Sequence, residues 1–195
     1  MPARTRNLPP DNCHLITLNV VDWVDLFTNP AYRQIIADAL NHFTERPGLV
    51  IYAWCLMTNQ LHLVIKTSDE YGIALFERDF KKFTTPEIVK AIDHTDLRQD
   101  WMMERFENFS KSLRKIEKFV IWQNCCSPLY LDYRQPNLLV EKINLVHEMP
   151  VREHIVESPE HYLFSSARDY TGVKGLVRVN VLKQGVSKFK MLSEN

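Results

Sequence analysis

The stretch Leu49-Val-Ile-Tyr-Ala-Trp-Cys-Leu-Met57, Thr58-Asn-Gln60, Leu61-His-Leu-Val-Ile-Lys-Thr67 decides the fold class. Two runs rich in β-branched and aromatic residues flank a short polar segment, the pattern of two strands joined by a tight turn. Alternate side chains of a strand share a face, so Gln60 and His62 are expected side by side while Leu61 between them enters the core.

Upstream, His14 to Val20 alternates and is rich in strand formers, which predicts another strand. From Asp22 to about Arg46, apolar residues recur at Leu26, Ile35, Ile36, Ala39, Leu40 and Phe43. That period is helical after Pro30, and Pro47-Gly48 ends it. Downstream, helices are expected over about Gly72–His94, with a break near Thr85-Pro86, and over about Leu97–Lys118. Phe119–Trp122 is a strand candidate, and Asn137–Glu148 reads as a helix stopped by Pro150. A short helix or turn is expected over Pro159–Tyr170 and a strand over Leu176–Leu182. The order β-α-β-β-α with a later strand predicts an α+β protein: a ferredoxin-like, split βαβ antiparallel sheet with helices on one face. The expected division is a core domain over residues 10–150, followed by an extension and basic tail over 151–195.

The chain has 195 residues, with 24 Lys+Arg balanced by 24 Asp+Glu, so bulk charge does not drive it onto nucleic acid. Ten Phe, seven Tyr and four Trp against five Gly exclude a disordered or glycine-rich class. The basic N-terminus is followed by no apolar segment of signal type, and the run Leu49–Met57 is too short to span a bilayer. Cysteines stand at 13, 55, 125 and 126 with no CxxC pair, so the expectation is a cytoplasmic protein with reduced thiols.

Four blocks occur in one order along the chain: Ala53 to Ile65, Arg78-Asp-Phe-Lys-Lys-Phe-Thr84, Ile121-Trp-Gln123, and Lys142 to Tyr170. The last holds Pro150-Val-Arg and Pro159-Glu-His-Tyr-Leu-Phe-Ser-Ser-Ala-Arg-Asp-Tyr170. Over about residues 13–176 the sequence resembles the single-tyrosine HUH transposases, and among them the REP-associated tyrosine transposases. The resemblance implies a DNA-transposition ancestry and a site of two histidines at alternate strand positions, a tyrosine nucleophile on a facing helix, and a third metal ligand four residues later. A Mg²⁺ or Mn²⁺ ion there polarises the scissile phosphate, and the tyrosine forms a covalent link to one DNA end.

This chain departs from that pattern. The first histidine position is Gln60, so His62 is a remnant. The tyrosine position is Leu145 and the third-ligand position is Met149, a soft thioether unsuited to a hard cation. The expectation is therefore a pseudoenzyme with no intact catalytic residue, no metal site and no cofactor. Tyr130, Tyr133, Tyr162 and Tyr170 are the tyrosines that could replace the lost nucleophile in an active transposase. Each has packing as its ordinary role. His147, His154 and His161 recur every seven residues, but Pro150 and Pro159 break any common helix. His62 alone on a strand reads most simply as a hydrogen-bonded sheet residue.

For nucleic-acid contact the resemblance points to Arg78, Lys81, Lys82 and Thr84 in one block and Ser165, Ser166 and Arg168 in another. A basic tail carrying Lys174, Arg178, Lys183, Lys188 and Lys190 adds to them. Trp54 and Trp122 could stack on bases, with burial as the plainer alternative. The implied partner is single-stranded or hairpin DNA, with no membrane, and the protein is a monomer or a homodimer. A protein-interaction scaffold on the same fold is the competing class.

Overall fold

The computed structural model describes residues 13–68, 72–92, 98–123, 127–132 and 135–182. Its centre is a four-stranded antiparallel sheet of order β2-β3-β1-β4, built from β1 (Cys13–Asn19), β2 (Leu49–Leu56), β3 (Gln60–Thr67) and β4 (Leu129–Leu131). Because β1 and β2 each pair antiparallel with β3, they run parallel to one another with β3 between them. The connection between them is α1 (Pro30–Thr44), which makes the split βαβ unit expected from the sequence. The α+β class and the hairpin of β2 and β3 stand as read.

Local chemistry explains the connection. Asn29 caps α1 by accepting from the Ala31 amide at 2.9 Å, and Pro30 takes the first helical position, where no amide hydrogen is needed. Before it the chain makes two short 3₁₀ turns, Val21–Trp23 and Leu26–Thr28, so the helix begins later than Asp22. The β2–β3 turn is pinned to this segment: the Val20 amide donates to the Asn59 carbonyl and the Phe27 amide to that of Thr58.

Two apolar clusters lie on opposite faces of the sheet. Ile16, Leu18, Leu61, Leu63 and Ile65 join Phe43 of α1, Phe76 and Phe80 of α2 (Ile73–Ala91), and Met102 and Phe106 of α3 (Gln99–Ser112). On the other face, Cys13, Ala53, Cys55 and Val64 pack with Leu139, Ile143 and Val146 of α4 (Pro136–Arg152). A register irregularity between Ile51 and Ala53 shifts the alternation in β2, so Trp54 and Leu56 return to the first cluster. Placing all helices on one face is thus corrected: α1 to α3 share a face, and α4 covers the other.

Both proline expectations are also corrected. Helix α2 continues through Pro86, because Phe76, Phe80, Thr84 and Ile88 recur every four residues and are all buried. The carbonyl that Pro86 leaves without a donor belongs to Lys82, on the exposed side of the helix. Helix α4 passes Pro150 and ends two residues later in a Schellman motif. His154 adopts φ 56°, its amide donates to Val151, and the Ile155 amide donates to Pro150.

The fourth strand is Leu129–Leu131; Phe119–Trp122 is irregular, with only a single bridge between Trp122 and Val20. Leu176–Leu182 is no strand, because a single backbone bond, Asn180 amide to Ile51 carbonyl at 2.8 Å, joins it to the edge of β2. The rest of that edge is closed by Phe164, whose carbonyl accepts from the Leu56 amide, and by Ser166, whose amide donates to Trp54. Residues 159–161 form a 3₁₀ turn and Ala167–Tyr170 the short helix α5. Cys13 and Cys55 are buried; Cys125 and Cys126 lie outside the described residues, as does the tail from 183. Among the described residues no helix is long and apolar enough to cross a membrane.

Candidate functional site

Strand pairing sets the floor of the site. In the β1–β3 register Thr17 opposes His62 and Asn19 opposes Gln60, so four polar side chains share the α4 face at one end of the sheet. His62 Nδ1 is 3.0 Å from the Thr17 hydroxyl, and the Gln60 amide donates to Asn19 Oδ1 at 3.0 Å. Burial holds the His62 imidazole down at about 4, against an ordinary value of 6.5. It is therefore neutral at physiological pH, and it is the hydrogen-bonded sheet histidine that the bare sequence suggests.

Helix α4 supplies the wall. Leu145 and Met149, one turn apart, line a pocket of about 550 Å³ with Gln60, His62 and Asn59; Arg152, Glu153 and Ile155 stand at its end. The structure thus brings together all four positions that the resemblance singles out. It adds Thr17, Asn19, Arg152 and Glu153, which the sequence reading passed over. The alternation of Thr17 and Asn19 with Ile16 and Leu18 marks a strand and no more; only the register places them beside His62 and Gln60.

The donor set can be tested against a hard divalent cation. Gln60 is a neutral amide engaged with Asn19, His62 is one imidazole, and Met149 is a thioether. Such an ion takes several oxygen ligands, so these residues do not fit it. Among the described residues no group of three His, Cys, Asp or Glu side chains could hold a metal. His147 is buried, whereas His154 and His161 are exposed, so the sevenfold histidines do not converge.

None of the described tyrosines offered as a substitute is placed as a free phenol. Tyr162 donates to the Leu56 carbonyl at 2.7 Å and Tyr170 to that of Tyr52 at 2.9 Å. Burial pushes both phenols up to about 12. Tyr130 packs edge-on against His14, and Tyr133 lies outside the described residues.

The candidate DNA contacts divide in two. Arg78 and Lys82 are exposed one turn apart on α2, with Arg78 paired to Asp79 at 2.9 Å. Half-buried Lys81 donates to the Gln123 carbonyl at 3.1 Å, and the Gln123 amide in turn donates to the Asn19 carbonyl. Lys81 is thus bonded through Gln123 and Asn19 to the floor of the pocket. Arg168 is half-buried on α5. Thr84, Ser165 and Ser166 are buried. The Thr84 hydroxyl donates to Phe80 and accepts from the Trp122 indole at 2.8 Å. Ser166 Oγ accepts from the Trp54 amide at 2.9 Å and lies 2.8 Å from His147 Nε2. Ser165 accepts from the Ala167 amide. These hydroxyls face inward and are committed there. Trp54 and Trp122 are likewise buried, not presented to bases.

No protein-family model and no curated protein sequence matches the chain. A solved structure does: a REP-associated tyrosine transposase bound to a REP hairpin, aligned over 99% of this chain and 100% of that one, with TM-score 0.53 and 14% identity. At that identity the likeness is one of fold, and it spans the whole chain: this protein has the fold of a REP-associated tyrosine transposase.

Proposed function

We propose that the chain is a transposase-like protein that binds structured single-stranded DNA and has lost the cutting step. The observation that carries this reading is the pocket between β3 and α4, where Gln60, Leu145 and Met149 stand at the positions that the resemblance gives to a metal ligand, the nucleophile and a second ligand. The fold likeness to a protein bound to a REP hairpin supports DNA as the partner. In this proposal Arg78, Lys81, Lys82, Arg168 and the tail meet phosphates, and no Mg²⁺ or Mn²⁺ is required. Thr84, Ser165 and Ser166 are left out, because their hydroxyls are used inside the protein. The protein acts in the cytoplasm, as a monomer or a homodimer.

The test joins a binding assay to a cleavage assay. Hairpin-bearing single strands should bind with micromolar or better affinity, falling by about 0.7 log unit per phosphate contact per decade of salt. No strand nicking and no denaturation-resistant adduct should form with either metal. Restoring Gln60→His alone should recover nothing, because the parts of such a site act as a unit. Gln60→His with Leu145→Tyr and Met149→Asn is the informative variant. An adduct formed by the unmodified protein, mapped to any tyrosine, would overturn the loss of cutting. Absence of binding to any DNA would return the fold to a scaffold role.

A further inference from the structure

The pocket left by those substitutions has a chemistry of its own. Its floor is an amide and an imidazole, each using one heteroatom within the sheet: Gln60 Nε2 on Asn19 and His62 Nδ1 beside Thr17. The Gln60 carbonyl oxygen and His62 Nε2 remain for a ligand. The two residues are two apart on one strand, about 6.7 Å along its backbone, and together offer an acceptor and a ring nitrogen. The opposite wall, Leu145 and Met149, is apolar and offers at most the weak acceptor of a thioether. Among the described residues, the only full charges lining the pocket are Arg152 and Glu153, adjacent in sequence and opposite in sign. A phosphate has little to bind there. A flat ring with apolar faces and a polar edge has both of its needs met.

We propose that this pocket receives a single unpaired nucleobase of the bound strand, its edge on Gln60 and His62 and its face on Leu145 and Met149. The inference rests on the DNA-binding reading and names what the former cutting site now holds. The volume of about 550 Å³ lies within the range of ligand pockets, about 300–1,000 Å³, so a nucleotide fits where a paired duplex cannot. The phosphates then lie outside the pocket, on the Lys81 side of the sheet end.

The test is an abasic scan. The full chain is titrated with a fluorescent hairpin bearing unpaired 5′ and 3′ tails, with one base at a time removed and every phosphate kept. One tail position should show a loss of affinity of about tenfold or more, the scale of a lost base-edge pair. Gln60→Leu, which keeps the volume, should abolish that dependence while binding the abasic strand as the unmodified protein does. Leu145→Trp, which fills the pocket from the separate element α4, should do the same, so the result does not hang on one variant folding. A flat scan with retained hairpin binding, every position within about twofold, overturns this inference and leaves the DNA-binding reading standing. Base dependence that survives in both variants also overturns it. No binding of any tailed hairpin overturns the reading and the inference together.

Discussion

On the α1 side of the sheet, Leu61, Leu63 and Ile65 of β3 are fully buried in one cluster with phenylalanines from three helices. On the α4 side the same strand begins with Gln60 and His62, which meet Leu145 and Met149 across a pocket. One face is a closed core; the other is closed at one end and open at the other. The residues that carry the resemblance to transposases sort along this line. Thr84 with Trp122, and His147 with Ser166 and the Trp54 amide, are hydrogen-bonded pairs inside the protein. They hold elements together whatever the pocket does. The positions that depart from the pattern line the open end, where Gln60 and Leu145 belong to neither apolar cluster and Met149 only packs against one of them. A fold of this kind can change its pocket without losing its shape.

The largest effect that would break this contrast lies in the closed core. Phe80→Ala removes a ring that packs with Phe43, Phe76 and Trp122, at centroid distances of 5.6–6.1 Å. Urea unfolding should show a loss of about 3–5 kcal/mol. If the loss is below about 1 kcal/mol, that face is not the closed core described.

Next comes pH. Burial holds the His147 imidazole down at about 4, below its ordinary 6.5. Between those values the unfolded chain takes up a proton that the native chain does not. Stability is therefore full above pH 6.5 and is lost as pH falls toward 4, by about 3 kcal/mol for this one group. The imidazole meets the Ser166 hydroxyl and the edge of the Tyr170 ring, and neither carries charge in that range. Chemical denaturation at pH 7 and pH 4.5 should show the loss, and His147→Gln should flatten it. His62, on the pocket floor, shifts in the same direction, so its own variant separates the two contributions.

Ser166→Ala comes third. It leaves the Trp54 amide and His147 Nε2 without their buried partner, at a cost of about 1–3 kcal/mol. A neutral result in thermal denaturation would mean that the bond between α4 and the β2 edge holds nothing.

The smallest effect on stability belongs to the open surface. Lys82→Glu with Arg78→Glu should change unfolding free energy by no more than about 0.5 kcal/mol. DNA affinity should nevertheless fall for all sequences alike, with a shallower salt dependence. Unchanged affinity would remove α2 from the proposed interface.

Much of the fold was legible because its signals are local. Period-two runs around Thr58-Asn59-Gln60 marked the hairpin, and the apolar period after Pro30 marked α1. The prolines misled for an equally physical reason. Pro86 sits where its missing hydrogen bond is exposed, and Pro150 sits within the last turn, where α4 is ended instead by the left-handed His154. The site was legible in part: the grouping of Gln60, His62, Leu145 and Met149 came from the resemblance, while Thr17 and Asn19 gave no signal that distinguishes them from other strand residues.

The sequence by itself determined that Gln60 and His62 share a face, because backbone geometry enforces the alternation wherever the chain is extended. It also determined that Leu145 and Met149 share one side of a helix, by the same kind of rule. Only the tertiary structure decided that these two pairs confront each other, because α4 crossed to the face of the sheet that α1 and α2 left open. Only it turned the Thr84 and Ser166 hydroxyls inward, toward an indole and an imidazole far away in the chain. Periodicity reports a side chain's direction relative to its own element; what that direction meets is set by strand register and helix packing, which are long-range.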